Sequence, residues 1–393
     1  MTKRKDFRTS IYIGTDANGK KLYKTISAPS PSELKKKKAA MVAARDKNFN
    51  LCDKGVFSVW SEKFYTECKR NSGLCAGTLT QYRSAISHLD NAFGNMEMKD
   101  ITLSAFQCFV NELAAYNPNT GKPSSKATLR SIIKVAAAIF TYADSNNILG
   151  VPKFISNVSI PKSAPCNPRY SLSEEEIQWI IDTPHRAQLP AMICLFAGLR
   201  RGEMMALKWD DINFEKKTLK VQCSVEIIGN KSIVKDGGKS AAATRTIPMP
   251  PILADYLKEY RKSSSLSSPY VCTNTSGNML TKSSLDRMWD SYMLDLNIKY
   301  GYDNNKSLKY NPKRGPLPML IKKFGLHHLR HTYATLLYLM GIDPVDAKKY
   351  LGHSSISVTI DIYTDLERFD KSSLSKEFKD KLKNEFAINI GVE

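Results

Sequence analysis

The chain carries histidines, an arginine and a tyrosine whose types and spacing suit phosphoryl transfer. Four of its six histidines lie within the segment 327–353. His327 and Arg330 are three residues apart, so on a helix they share one face and can contact one oxyanion together. Tyr363 follows ten residues after His353. Imidazoles that exchange protons, a guanidinium that binds phosphate and a phenol that acts as nucleophile are the parts of a phosphoryl-transfer site.

The composition of the chain indicates a polyanionic partner. Its 393 residues contain 58 Lys and Arg against 38 Asp and Glu, which gives a formal net charge of +20 and a pI near 9.4. Such an excess is typical of proteins that bind nucleic acid or an anionic membrane surface. No apolar run approaches the roughly 18 residues that a membrane span requires, and the first residues lack the apolar core of a signal peptide. We therefore expect a cytoplasmic protein that binds nucleic acid rather than a membrane.

The cysteines and histidines do not have the pattern of a metal site. The eight cysteines are scattered and include no Cys-x-x-Cys pair, which is typical of reduced thiols in a cytosolic protein. His327 and His331 have the spacing of a helical zinc site, but the glutamate of the His-Glu-x-x-His motif is missing. The neighbouring Arg330 would also repel a cation. We expect no metal.

Residues 1–50 are the most basic part of the chain and are predicted to contact DNA. They contain thirteen Lys and Arg against four Asp and Glu. Two alternating, strand-like segments lie on either side of a turn at 16–19, and a helix is predicted from Ser32 to about Lys47. The candidate DNA-contacting residues of this segment are Lys3, Arg4, Lys5, Arg8, Lys20, Lys21, Lys24, Lys35, Lys36, Lys37 and Lys38.

The rest of the chain divides into four segments. Residues 56–150 carry apolar side chains at three- and four-residue spacing, which predicts a helical domain. Closely spaced prolines predict a linker at 151–170. A larger, mainly helical domain follows at 171–370. At 371–393, Leu or Phe at every fourth position predicts an amphipathic tail helix, which we expect to dock onto a neighbouring protomer.

Local signals within 171–370 fix a helix start and two strands. Ser173 followed by Glu176 predicts a capping box. Strand-like segments near 218–227 and ending at 245–249 enclose a turn that contains Lys235 and Lys239.

Five segments of this domain, taken together, resemble the catalytic domain of tyrosine recombinases, the phage integrase family. In chain order they are Gly198-Leu-Arg200-Arg-Gly-Glu203 with Leu207-Lys-Trp-Asp-Asp-Ile212, Lys239 ahead of Arg245-Thr-Ile-Pro, His327-His-Leu-Arg330-His-Thr, Leu351-Gly-His353 and Thr359-Ile-Asp-Ile-Tyr363. Each is weak alone, but their order and separations make the match very specific. Residues 1–50 are similar to the arm-DNA-binding domain of integrases from conjugative transposons, and 56–150 to the core-DNA-binding domain. The resemblance implies a multidomain architecture, mainly α with small antiparallel β-sheets, and a bacterial or phage-type, nucleoid-associated protein.

The resemblance also implies a site-specific DNA recombinase that integrates and excises a mobile element without metal or cofactor. Tyr363 would be the nucleophile that forms a 3′-phosphotyrosyl bond. Arg200 and Arg330 would clamp the phosphate oxygens, and Lys239 would protonate the leaving 5′-oxygen. The remaining implied site residues are His327 as proton carrier, His353 as hydrogen-bond donor to the phosphate, and Glu203 as a support for neighbouring side chains.

The implied partner is double-stranded DNA that carries attachment sites and arm sites. The implied assembly is a tetramer on two duplexes, with accessory DNA-bending or excision factors. Several alternatives stay open. Lys235 rivals Lys239 as the catalytic lysine, and His328 stands where relatives often have Asp. A non-catalytic DNA-binding regulator or relic integrase, and an enzyme like a type IB topoisomerase, are the alternative functions.

Overall fold

The protein folds into two compact units, residues 1–167 and 168–393, each with its own hydrophobic core. The computed structural model describes residues 7–15, 21–46, 55–148, 150–166, 170–229, 231–236, 244–264, 268–304 and 317–368. These residues are mainly helical, with small antiparallel sheets, which confirms the expected fold class. Within these ranges no helix is both long enough and apolar enough to cross a membrane.

The first unit begins with a two-stranded antiparallel sheet covered on one face by a helix. The strands β1 (Phe7–Thr15) and β2 (Lys21–Ala28) pair with each other, and α1 (Pro31–Asp46) packs against both. Because side chains alternate between the faces of a strand, Ile11 and Ala28 are buried under α1 while alternate residues of both strands stay exposed. The turn predicted at 16–19 lies outside the described residues.

Four further helices of the first unit enclose an aromatic core. They are α2 (Phe57–Phe64), α3 (Ala76–Phe93), α4 (Leu103–Ala115) and α5 (Lys126–Ser145). The apolar stripes predicted for 56–150 meet here, and Phe93 stacks on Phe106 with ring centroids 5.4 Å apart. The side chains of Thr102 and Ser125 each accept a backbone N–H at the start of α4 and α5.

The proline-rich segment after α5 packs against the same core. Phe154 lies 6.0 Å from Phe106 between ring centroids, and Ala164 is buried. The described part of the segment that we expected to be a linker, up to residue 166, therefore contributes apolar surface to the first unit.

The second unit is built around one fully buried helix. The helix α6 (Glu174–Asp182) starts at the capping box of Ser173 and Glu176, as the sequence predicts. Every residue of α7 (Gln188–Phe196) is buried, so this helix is covered on all sides. The short α8 (Arg201–Ala206) follows directly.

The strands of this unit form a three-stranded sheet and a separate hairpin. The antiparallel sheet has the order β3 (Ile212–Asn213), β4 (Thr218–Val221), β7 (Arg245–Pro248), and the hairpin joins β5 (Cys223–Ile228) to β6 (Lys231–Asp236). The strand-like segment near 218–227 is thus divided at Gln222. The amide Nε2 of Gln222 donates to Asp211 at 2.6 Å, away from either ladder.

The described residues of the second unit contain five more α-helices. They are α9 (Pro251–Ser263), α10 (Lys282–Leu296), α11 (Leu326–Leu339), α12 (Pro344–Leu351) and α13 (Ile356–Arg368). The helix α11 packs along α7 and against α12 and α13, which brings the residues 327–363 onto the core. The predicted tail helix at 371–393 lies outside the described residues.

Candidate active site

Arg200 and Glu203 are held together at the start of α8. Gly198 turns the chain ahead of them with a φ of +62°, and Arg200 has an extended conformation just before the helix. The backbone N–H of Arg200 donates to Oε2 of Glu203 at 2.8 Å, and Nη1 of Arg200 donates to Oε1 at 2.7 Å. The side chain of Glu203 is buried while that of Arg200 is 42% exposed. Arg200 is therefore anchored at its inner edge and open to solvent at its outer edge.

Arg330 projects from α11 to the same carboxylate. Its side chain is buried, and its Nη1 lies 3.9 Å from Oε2 of Glu203. Nη1 donates to the carbonyl of Gly198 at 2.5 Å, and Nη2 donates to the carbonyl of Leu351. Burial and the neighbouring Arg200 lower the pKa of Arg330, but a guanidinium keeps its charge at neutral pH. The two arginines singled out in the sequence thus lie on either side of one carboxylate.

The C-terminal end of α12 presents carbonyl groups to these arginines. A helix end carries unpaired carbonyls and a partial negative charge. The carbonyl of Leu351 accepts from Arg330, and that of Gly352 accepts from Nη2 of Arg200 at 2.7 Å. Gly352 has a left-handed φ of +63°, which ends the helix. His353 follows Gly352 directly, so the turn that contacts the arginines also positions this imidazole.

His353 is oriented by a threonine and is neutral at neutral pH. Its Nδ1 lies 2.9 Å from Oγ1 of Thr359, a buried residue of α13. Burial, together with Arg330 and Arg200, lowers the pKa of His353 to about 4. An uncharged imidazole of this kind can act as a hydrogen-bond donor through the nitrogen that carries its proton.

His327 and His328 occupy different environments on the first turn of α11. The ring of His327 lies 4.5 Å from that of His331, and burial with the neighbouring Arg330 lowers the pKa of His327. His328 accepts the backbone N–H of Gly325 at Nδ1, at 3.0 Å, and so caps the helix. Nowhere in the described ranges do three His, Cys, Asp or Glu side chains cluster closely enough to hold a metal ion.

Tyr363 lies in α13 with its hydroxyl already engaged. The side chain is buried, its ring packs edge-on against Tyr338 at 4.9 Å, and its hydroxyl donates to the carbonyl of Ile342 at 3.2 Å. Burial, with the nearby carboxylate of Asp343, raises the pKa of Tyr363. Among the hydrogen bonds of the described residues, none joins Tyr363 to Arg330. The hydroxyl of Tyr363 is thus bonded to the chain between α11 and α12 rather than to either arginine.

The two candidate lysines differ in what the structure describes of them. Lys239 lies outside the described residues. Lys235, in β6, forms an ion pair with Glu226 of β5 across the hairpin. The ammonium of Lys235 therefore has a carboxylate partner within its own hairpin.

Arg245 belongs to the site, although the sequence reasoning gave it no role. It lies at the start of β7 with 8% of its surface exposed, and it donates from Nη1 and Nη2 to the two oxygens of Glu203 at 3.0 and 2.8 Å. In β7 the buried residues are Arg245 and Ile247, which share one face of the strand. An arginine at the inward-facing position of a strand was the signal that could have identified it.

The described candidate residues of the arm do not lie on one surface. Arg8 and Lys21 are on the exposed face of the sheet, and Lys24 is on the face that α1 covers. The lysines 35–38 are exposed on α1, on the opposite side of the sheet, and Nζ of Lys37 donates to the carbonyl of Ser27 at 3.2 Å. The candidates outside the described residues are Lys3, Arg4, Lys5 and Lys20.

Comparison with known proteins identifies relatives along most of the chain. Residues 171–368 match the model of the phage integrase family, and residues 56–114 match a model described as the phage integrase N-terminal SAM-like domain. The chain is 26% identical to a tyrosine recombinase XerC-like protein of Caldanaerobacter subterraneus subsp. tengcongensis, over 91% of this chain and 92% of the relative. It is 31% identical to tyrosine recombinase XerA of Pyrococcus furiosus, over 60% of this chain and 70% of the relative.

Solved structures with a similar fold include two integrases bound to DNA. One is the Tn1549 transposon integrase in complex with a circular intermediate DNA, with a TM-score of 0.61, 17% identity, and coverage of 80% of this chain and 99% of that one. The other is a lambda integrase tetramer bound to a Holliday junction, with a TM-score of 0.53, 18% identity, and coverage of 87% and 93%. At these identities the likeness concerns the fold.

Proposed function

The chain belongs to the phage integrase family and is a DNA recombinase of the tyrosine type, and we propose that Tyr363 is the nucleophile of its strand exchange. The phenol oxygen attacks the scissile phosphorus, the bond to the 5′-oxygen breaks, and the 5′-oxygen leaves as a hydroxyl after it takes up a proton. The product is a 3′-phosphotyrosyl bond. A 5′-hydroxyl of a partner strand then attacks the same phosphorus and releases the phenol, so each bond broken is replaced and no nucleotide cofactor is required.

The observation that supports the proposal most strongly is that the guanidiniums of Arg200 and Arg330 lie against the same carboxylate, that of Glu203. Arg200 precedes α8 and Arg330 lies in α11, yet both contact the end of α12 and both lie against Glu203. With Arg245, three positive charges meet one negative charge, which leaves an excess of two. A phosphodiester carries one negative charge, and the five-coordinate transition state carries about two. The excess therefore matches the transition state better than the ground state, as catalysis requires.

The two histidines supply a proton carrier and a hydrogen-bond donor. His327 is held neutral by burial, so it can accept the proton that Tyr363 loses. When the hydroxyl of Thr359 donates to Nδ1 of His353, the imidazole proton lies on Nε2, where it can be donated to a phosphate oxygen. Both roles suit imidazoles that stay neutral near pH 7.

Lys239 is proposed as the acid that protonates the leaving 5′-oxygen. An ammonium on a flexible stem can follow the oxygen as it departs. The rival, Lys235, has its charge paired with Glu226 across the hairpin, which favours Lys239 for this role.

Cleavage requires a change at Tyr363. Its hydroxyl must leave the carbonyl of Ile342 before it can reach a phosphate held by Arg200 and Arg330. We propose that DNA binding or assembly of protomers moves α13 to release it. Burial in the present position keeps the phenol protonated, so Tyr363 becomes a nucleophile only within the assembled site.

The assembly is proposed to be a tetramer on two duplexes that integrates and excises a mobile element. The exposed face of the β1–β2 sheet, with Arg8 and Lys21, is the proposed contact with arm sites. The segment 371–393 is proposed to pack on a neighbouring protomer, and accessory DNA-bending or excision factors are expected to act on the same DNA.

The test is covalent trapping on nicked duplexes built from the ends of the element that encodes the protein, in the presence of chelator. The wild-type protein should form an adduct that survives denaturation, and Tyr363→Phe should form none while it binds the duplex with similar affinity. Tyr338→Phe is the matched control, since it removes a hydroxyl from the ring that packs on Tyr363, and it should still form the adduct. An adduct with Tyr363→Phe would refute the assignment of the nucleophile. Tight binding without any adduct from the wild type would favour a DNA-binding regulator.

A further inference from the structure

Three arginines bind three consecutive carbonyl groups at the end of α12. Nε of Arg245 donates to the carbonyl of Tyr350 at 2.7 Å, Arg330 donates to that of Leu351, and Arg200 donates to that of Gly352 at 2.7 Å. These arginines are distant in sequence: Arg245 lies in β7, Arg330 lies in α11, and Arg200 directly precedes α8. One helix end thus sets the relative positions of all three guanidiniums.

Arg245 also fixes the carboxylate that the other two arginines share. Its two terminal nitrogens donate to the two oxygens of Glu203 in a bidentate pair, and both side chains are 6% exposed. Burial opposes ionisation of Glu203, but the hydrogen bonds and charge of Arg245, with the backbone N–H and charge of Arg200, hold the pKa of Glu203 down at about 2. A planar fork of this kind restrains both the position and the plane of a carboxylate.

The turn after α12 is shaped around Arg245. Gly352 has a left-handed φ, and a Cβ at this position would lie 2.9 Å from Nη1 and 3.0 Å from Cζ of Arg245. Only glycine therefore lets the Leu351–Gly352 carbonyls and the guanidinium of Arg245 approach this closely. Since His353 is the next residue, the same close approach also fixes the backbone position from which the His353 imidazole projects.

We propose that Arg245 is a positioning residue for strand cleavage, which locks Glu203 and the end of α12 so that Arg200, Arg330 and His353 are aligned on one phosphate. This inference rests on the proposed function. Arg245 does not contact the phosphate, because Nε, Nη1 and Nη2 each donate to a protein oxygen and the side chain is buried. Arg200, which is 42% exposed, differs from it in this respect.

The alternative role for Arg245 is purely structural, as half of a buried ion pair. Removing one partner of such a pair leaves a buried charge and destabilises the fold. A positioning role differs in its consequence, since it alters how strongly the site stabilises negative charge on the phosphate. A lysine cannot replace Arg245 in that role, because an ammonium is a point charge and lacks the planar fork.

The experiment compares Arg245→Lys with wild type on two duplexes. One duplex has the natural scissile phosphodiester, and the other has a neutral methylphosphonate at the same position. Single-turnover adduct formation, duplex affinity and the thermal midpoint are measured for each protein. Arg261→Lys is the matched control, since Arg261 is an arginine that lies over the ring of Trp209, 5.4 Å from its centroid, away from the α12 carbonyls.

On the natural duplex we expect Arg245→Lys to form adduct about 10²-fold more slowly, as displaced catalytic groups do, with affinity and thermal midpoint close to wild type. On the methylphosphonate the difference should shrink to about tenfold or less, because its transition state carries one negative charge fewer and the clamp therefore has less charge to stabilise. Gly352→Ala should reproduce the difference between the two duplexes, because it displaces the guanidinium of Arg245 without removing it, while its left-handed φ and close contact also lower the thermal midpoint. Arg261→Lys should match wild type on both duplexes.

Three outcomes would overturn the inference. An equal loss on both duplexes would assign Arg245 a structural role, and so would a loss in Arg245→Lys that follows a lowered thermal midpoint. Undiminished cleavage of the natural duplex by Arg245→Lys would show that Arg245 does not position the cleavage site. Failure of the proposed function is distinguishable, because the wild-type protein would then form no adduct on either duplex.

Discussion

At the scale of single residues, one carboxylate decides the electrostatics of the site. Glu203 lies between Arg200, Arg245 and Arg330, and it stays ionised despite its burial. Without it, three guanidiniums would repel one another in a buried space. With it, they are held close and still carry an excess of positive charge.

The neutral state of His353 makes protein stability sensitive to acid. Its pKa is about 4 in the folded protein and about 6.5 in the unfolded chain. Between pH 6.5 and pH 4, His353 is protonated in the unfolded chain but stays neutral in the folded protein. The stability contributed by the neutral imidazole is therefore lost as the pH falls from 6.5 towards 4. We expect the thermal midpoint to fall over this range and to be unaffected by His353 above it.

Substitution isolates this contribution. His88, His185 and His327 also have pKa values lowered by burial, so His353→Asn should flatten only part of the dependence of the thermal midpoint on pH. The comparison is a series of thermal denaturation curves between pH 4 and pH 7 for both proteins. Identical slopes would mean that His353 is not held neutral by the arginines.

The choice between Lys239 and Lys235 can be made with a modified leaving group. If Lys239 protonates the 5′-oxygen, Lys239→Ala should slow adduct formation by about 10²–10⁴-fold. A duplex with sulfur in place of the bridging 5′-oxygen should restore the rate, because a thiolate is stable enough to leave without a proton. Lys235→Ala should behave like wild type on both duplexes. A defect in Lys235→Ala that sulfur corrects would reverse the assignment.

The sequence predicts which residues meet at the site better than it predicts their state. Arg200, Arg330 and His353 could be found because short motifs keep glycine, arginine and histidine in fixed order. The hydrogen bond from Tyr363 to Ile342 could not be found, because it depends on how α13 packs against the loop before α12. Motif spacing contains no information about that packing.

At the scale of elements, a left-handed glycine allows α7 and α11 to pack closely. Gly198, with φ +62°, lies so near α11 that a Cβ would be 2.2 Å from Cδ1 of Tyr333. Tyr333 is itself fully buried. The turn that leads into Arg200 therefore depends on the absence of a side chain at 198.

A matched pair of glycines separates backbone strain from this steric contact. Gly341 also has a left-handed φ, +76°, but a Cβ there would meet no atom within 4 Å. Gly341→Ala should lower the free energy of unfolding by about 1–2 kcal/mol, the strain of a left-handed alanine. Gly198→Ala should lower the free energy of unfolding by the same strain and by about 1–3 kcal/mol more, because the new Cβ overpacks against Tyr333. Denaturant unfolding of both variants measures the difference, and equal losses would exclude the steric contribution.

Element boundaries were predictable where a local signal exists. The capping box of Ser173 and Glu176 fixes the start of α6 in both sequence and structure. The division of the segment 218–227 between two sheets was not predictable, because it follows from the partners of each strand. The continuous run of strand-forming residues gives no sign of the break at Gln222.

At the scale of the whole molecule, net charge predicts the partner but not the contact surface. The composition indicates nucleic acid, and membership of the recombinase family agrees with it. The sequence groups the arm cations by their position along the chain. The fold separates them onto opposite sides of the β1–β2 sheet, because strand side chains alternate and α1 covers one face.

The exposed face of that sheet is expected to contact DNA phosphates through Arg8 and Lys21. It also carries Tyr12 and Tyr23, whose rings lie 5.8 Å apart, and Ser10, so cationic, aromatic and hydroxyl groups project from one flat surface. If both cations pair with phosphates, the double variant Arg8→Gln with Lys21→Gln should bind arm-site duplex more weakly. The slope of log K against log salt concentration should become shallower by about 2.

Charge-preserving and opposite-face variants complete this test. Arg8→Lys with Lys21→Arg should keep the wild-type salt slope, because a phosphate contact requires charge rather than one side-chain shape. Lys35→Gln with Lys36→Gln removes the same charge from α1, on the other side of the sheet, and should change the slope less. A larger change in that second variant would place α1 on the DNA. In that case the salt dependence of binding would arise from lysines of α1, and the proposed DNA contact of the exposed sheet face would be wrong.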